Sequence, residues 1–145
     1  MSESAQHQKL VMEIIKYVEA IVGPDKTCFV SSDVADGMSL SPLTAEGFRP
    51  DVFYQYGDTL IIGEAKTSDD VGRIHSRKQY DSYIKKCSLF EGKAYFIAAV
   101  HWADKAQLHN ILRRINSKYP GKYSLQGTTQ GRYLTGGVPP VRFSM

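Results

Sequence analysis

Asp51 and the run Glu64-Ala65-Lys66 are the residues of this chain best equipped for chemistry. Asp51 follows Pro50 and opens the stretch Val52-Phe53-Tyr54. Glu64 comes directly after the apolar run Leu60-Ile61-Ile62 and Gly63. Side chains alternate across a strand, so Glu64 and Lys66 share a face and Ala65 points the other way. Gly57-Asp58, between the two stretches, is a hairpin signal. A hairpin turning there carries Asp51 and Glu64 to the same end of a sheet. Two carboxylates converging at such a point suit a hard divalent cation, Mg²⁺ or Mn²⁺, bound through oxygen. The Ala65 main-chain carbonyl can supply a further oxygen. Lys66 stands beside them, able to orient a water and offset charge on a phosphate. Water on such a cation becomes a usable nucleophile near neutral pH, which is equipment for phosphodiester hydrolysis. The plainer alternative makes Asp51 a strand-end aspartate, and Glu64 with Lys66 an ion pair at the surface.

These residues need elements to position them. Gln8 to Val22 repeats apolar residues at helical spacing (Leu10, Val11, Ile14, Ile15, Val18, Ile21), and Gly23-Pro24 stops it. Cys28 to Val30 reads as a short strand, and Ser31 to Arg49 mostly as loop. Asp51 to Tyr56 and Thr59 to Lys66 are the hairpin strands, the second expected to be buried on both faces. A second helix is expected over Arg73 to Lys86, with Tyr80, Tyr83, Ile84 and Cys87 on one face and Ser68 to Gly72 in the connecting loop. Lys93 to His101 is a buried strand. Asp104 to Lys118 is a third helix, with Asp104 as its N-cap and Ala106, Leu108, Ile111, Leu112 and Ile115 facing inward. His101-Trp102 is expected to cap the core. The tail from Pro120 holds a hairpin around Tyr123 to Leu134. The order α, β, β, β, α, β, α predicts a single mixed α/β domain with helices covering a small central sheet.

The pattern Pro50-Asp51 followed by Glu64-Ala65-Lys66 resembles the PD-(D/E)XK nuclease superfamily. That group includes many restriction enzymes, RecB-type nucleases and Holliday-junction resolvases. The resemblance spans about residues 8 to 100 and implies a restriction-endonuclease-like αβββαβ core, its mixed sheet flanked by helices. It also implies that Asp51 and Glu64 bind Mg²⁺ or Mn²⁺ and that Lys66 assists the attacking water. Many members add a helix-one glutamate to the metal site; Glu13 or Glu19 fits, with Glu13 preferred because it borders the apolar face. Gln79-Tyr80-Asp81-Ser82-Tyr83 is similar to the QxxxY motif of RecB-type members. Gln79 and Tyr83 stack on one helical face at i and i+4, and the resemblance places the glutamine near the metal and the substrate. Arg73, His75, Arg77 and Lys78 make the same helix a candidate phosphate-contacting element. The implied activity is metal-dependent endonucleolytic hydrolysis of DNA, with a homodimer implied by analogy. The alternative is a catalytically inactive nuclease-like module that binds nucleic acid or a protein partner. Pro24-Asp25 is a rival PD pair, but it leads into no hairpin ending in [DE]xK.

The 145-residue composition, 42% hydrophobic and 23% charged, is that of an ordinary globular chain and excludes disordered and disulfide-scaffold classes. One domain is expected over 1–145, with a core at about 8–118 and a basic Gly/Pro-rich extension at 119–145. The net charge of +3 hides an asymmetry: residues 1–72 carry 5 basic and 12 acidic side chains (−7), and residues 73–145 carry 13 and 3 (+10). That split suggests a polyanionic partner. The tail interleaves bases and aromatics (Lys118-Tyr119, Lys122-Tyr123, Arg132-Tyr133, Arg142-Phe143), a mixture suited to nucleic acid. Cys28 and Cys87 form no CxxC pair and are expected to be reduced, buried thiols. The N-terminus is polar and the longest apolar runs are too short to span a bilayer, so a cytoplasmic protein with no membrane partner is expected.

Overall fold

The structure, a computed structural model, describes residues 5–32 and 38–119, and the backbone of 124–127 and 132–136. Helices α1 (Ala5–Val22), α2 (Ile74–Leu89) and α3 (Lys105–Asn116) pack on strands β1 (Val30–Ser31), β2 (Val52–Tyr56), β3 (Thr59–Ala65), β4 (Lys93–Ala99), β5 (Ser124–Gly127) and β6 (Arg132–Gly136). The strands form one mixed sheet in the order β1-β2-β3-β4-β6-β5. Only β3 and β4 run parallel; α2 makes the crossover between them. The fold is α/β. No helix among the described residues is long and apolar enough to cross a membrane.

Alternation along β3 explains the layering. Leu60 and Ile62 face α2 and α3, where they meet Tyr80, Tyr83, Ile84, Leu108 and Leu112. Ile61 and Ala65 face α1, where they meet Val11, Ile14 and Val18. The strand is thus buried on both sides, as its unbroken apolar run predicts. Gly57 turns the β2–β3 hairpin with φ +60, a conformation that glycine adopts without a Cβ penalty. Gly63 has a different reason to be glycine: a Cβ there would lie 2.5 Å from Ile14 Cγ2. Its absence lets α1 sit directly on the sheet.

Several expectations need correction. The segment around Cys28 is a 3₁₀ helix, Pro24–Phe29, and the strand begins only at Val30. Cys28 is consequently exposed, whereas Cys87 is buried. The rival Asp25 sits on that 3₁₀ helix, largely in solvent beside Lys26. Asp104 precedes α3 but makes no capping hydrogen bond; its carboxylate accepts from the Ser68 hydroxyl at 2.6 Å instead. Ala106 is exposed, because the buried stripe of α3 starts at Leu108. Trp102 is 70% exposed and caps nothing. The tail hairpin exists as β5 and β6, and β6 joins the sheet by pairing with β4, Arg132 opposite Ala99. Lys122, Tyr123, Arg142 and Phe143 lie outside the described residues.

Candidate active site

The hairpin register sets the first pair. Val52 pairs with Gly63, so the next step of the antiparallel ladder brings Asp51 opposite Glu64. The two are then tied by crossed hydrogen bonds: Asp51 N–H donates to Glu64 Oε1 at 3.2 Å, and Ala65 N–H donates to Asp51 Oδ2 at 2.9 Å. Lys66 lies just beyond β3, its N–H donating to the Ala99 carbonyl of β4 at 3.1 Å. That bond holds its backbone while Nζ turns back to Glu64 Oε2 at 3.1 Å. Gln79, in the second turn of α2, accepts a hydrogen bond from the same Nζ through Oε1. One turn on, the fully buried Tyr83 directs its hydroxyl to the same place; it lies near Glu64 and Gln79 without a well-formed hydrogen bond.

This is an ion pair, but not a surface one. Glu64 is 3% exposed, and the Lys66 and Asp51 side chains 12% and 15%. Burial first, and the adjacent Asp51 charge second, push the Glu64 carboxyl up to about 8; Lys66 acts in the opposite direction without cancelling them. The Tyr83 phenol is held well above its usual range by burial, then by Glu64 and Asp51. A carboxylate pair that one lysine leaves short of positive charge, hard oxygen donors and a buried hydroxyl awaiting a partner together fit a hydrated divalent cation.

The third acid expected from α1 does not join the pair. Among the described residues no three His, Cys, Asp or Glu side chains gather as a metal-ligand group. Glu13 is half-buried and lines a groove with Val100, His101 and Trp102; Glu19 is exposed. The contribution of α1 is His7, whose Nε2 lies 3.2 Å from Asp51 Oδ2. His7 escaped the sequence reading, although a signal was present. It stands three, four and seven residues before Leu10, Val11 and Ile14, so it extends the buried stripe by one turn.

The basic residues of α2 stand apart from the carboxylates. Arg73 pairs with Asp70 at 3.4 Å, and the Arg77 Nε donates to the Gly72 carbonyl. His75 is exposed and set edge-on to Phe48 at 5.5 Å. Arg77 and Lys78 line a groove of about 720 Å³ between α2 and α3, with Ile111, Arg114 and Lys118 on its other side. The helix therefore offers two faces, Gln79 and Tyr83 to the acids and the bases to solvent. No protein-family model, no curated protein and no solved structure matches this chain.

Proposed function

We propose that this protein is a divalent-metal-dependent nuclease that hydrolyses phosphodiester bonds in DNA, with the restriction-endonuclease-like core that its motifs imply. The observation that carries the reading is the meeting of Asp51, Glu64, Lys66 and Gln79 at one strand end, largely shut off from water. These residues come from three separate stretches of chain. The finer fold reading is supported by the element order α1-β1-β2-β3-α2-β4, with an antiparallel β1-β2-β3 meander followed by a parallel β4.

Asp51 and Glu64 would hold Mg²⁺ or Mn²⁺, with the Ala65 carbonyl beside them. The chemistry such a cation supplies is polarisation of the phosphate and acidification of water. The rest falls to the chain itself. Gln79 and Glu64 hold the Lys66 ammonium from two sides, so it needs little reorganisation to face a developing negative charge. His7 and the Ala65 N–H fix Asp51, leaving its carboxylate few ways to turn. Tyr83 and the β3 core keep bulk water from the protected side, where electrostatic interactions are strongest. The test is a panel of labelled linear, nicked, flapped and four-way DNA, with Mn²⁺ or with EDTA. Cleavage of at least one form in Mn²⁺, abolished by EDTA, is expected. DNA binding indifferent to EDTA with no cleavage of any form would instead identify an inactive binding module.

A further inference from the structure

A groove of about 450 Å³ runs along the carboxylate end of the sheet, between the first half of α1 and the chain leaving β4. Gln6, Lys9, Leu10 and Glu13 form one wall, and Val100, His101 and Trp102 the other. Each wall is one residue along the chain from a contact to the candidate site. Gln6 precedes His7, which contacts Asp51, and Val100 follows Ala99, whose carbonyl binds the Lys66 N–H. At the edge of this groove the chain's one tryptophan, Trp102, is 70% exposed. Leaving an indole in water forgoes substantial burial energy, so its position invites a ligand explanation.

The ring is carried on a built turn. The His101 Nδ1 accepts from the Ala103 N–H at 3.1 Å, and the Asp104 N–H donates to the His101 carbonyl at 2.9 Å. The Asp104 carboxylate is held by Ser68, two residues into the loop that starts from Lys66. The His101 ring lies 5.6 Å from the indole at an angle of 35°. An exposed aromatic face on that turn, an apolar floor at Leu10 and a cation at Lys9, with the Glu13 carboxylate on the same wall, supply the parts of a nucleotide-binding platform: stacking for the base, apolar contact for its edge and charge for the phosphate.

The geometry points to this groove as a binding site for an unpaired DNA base, stacked on Trp102, in the strand whose backbone lies at Asp51, Glu64 and Lys66. A base inside a duplex has both faces covered by its neighbours and cannot offer one to the indole. The substrate class is therefore DNA with a single-stranded segment beside the bond to be cut, an assignment that rests on the phosphodiester reading of the site.

Because Trp102 is the one tryptophan, the protein's indole emission reports this ring alone. The full chain is titrated in EDTA, where no cleavage occurs, with single-stranded oligothymidylate and with a blunt duplex of equal length. Saturable quenching by the single strand and much weaker quenching by the duplex are expected. Anisotropy of a labelled single strand should show Trp102→Ala binding roughly tenfold more weakly and Trp102→Phe close to the parent. No quenching, equal quenching by duplex, undiminished binding by Trp102→Ala, or an indole shielded from acrylamide in the free protein (the chain itself filling the groove) would each overturn the assignment. Quenching by a protein that cuts no DNA overturns the nuclease reading and keeps the groove. Cleavage without quenching does the reverse.

Discussion

At the end of β3 a carboxyl group is closed off from water with a second carboxylate as its neighbour, and Lys66 at 3.1 Å offsets the two only in part. Glu64 is raised from about 4.5 to about 8 by burial and by Asp51, so between those values the folded state keeps a proton that the unfolded chain has released. Stability from this site is full below pH 4.5 and is lost as the pH climbs through about 8. Glu64→Gln removes the penalty. We expect it to raise the melting temperature at pH 8 in EDTA, with the gain shrinking towards pH 5. Thermal melts across that range check it; a variant less stable than the parent at pH 8 would mean that the Lys66 pair outweighs burial. The acids and the lysine were legible in the sequence, since their spacing already fixes strand faces; Gln79 was placed beside them only by the resemblance of its motif. That His7, and not the preferred Glu13, would be the α1 side chain against Asp51 was not legible. Both border the apolar stripe of α1, and which turn reaches Asp51 depends on how far α1 extends along the sheet, which periodicity alone does not set.

The approach of α1 to the sheet rests on Gly63. With Ile14 Cγ2 at 2.5 Å and Val52 Cβ at 3.2 Å from the place of a Cβ, Gly63→Ala forces α1 outward from its seat. Overpacking of this kind costs about 1–3 kcal/mol, and the displacement would draw His7 away from Asp51. Chemical denaturation should register the loss, and a DNA-cleavage assay a fall in rate larger than global unfolding accounts for; unchanged stability would show that α1 is not seated as described. The elements themselves were largely readable, because β3 and β4 are continuous apolar runs and α1 and α3 have clear stripes. The errors fell where local hydrogen bonding competes with periodicity. Pro24 sets a 3₁₀ turn where Cys28-Phe29-Val30 looks like a strand, and the 3₁₀ turn at Trp102–Asp104 takes the place of a simple N-cap.

Over the whole molecule the division of charge, −7 in residues 1–72 and +10 in 73–145, follows the architecture in part. The acidic half supplies Asp51 and Glu64. In the basic half, Arg77, Lys78, Lys85, Arg114 and Lys118 line the groove between α2 and α3, and β6 enters the sheet with Arg132 opposite Ala99, at the carboxylate end. One expected nucleic-acid pair serves packing instead: Lys118 and Tyr119 both bind the Asp81 carboxylate, at 2.6 and 2.5 Å, and pin the end of α3 to α2. If the remaining bases meet phosphates, DNA affinity measured in EDTA should fall steeply and linearly on logarithmic axes as salt rises; a flat salt dependence would remove the basic surface from the account. The central claim concerns the carboxylate pair and its lysine, and cleavage of DNA in Mn²⁺ by the parent, Glu64→Ala and Lys66→Ala, each confirmed as folded, tests it most directly. The account predicts metal-dependent cleavage by the parent and a loss of about 10²-fold or more in each variant. Variants that cut as fast as the parent would contradict it.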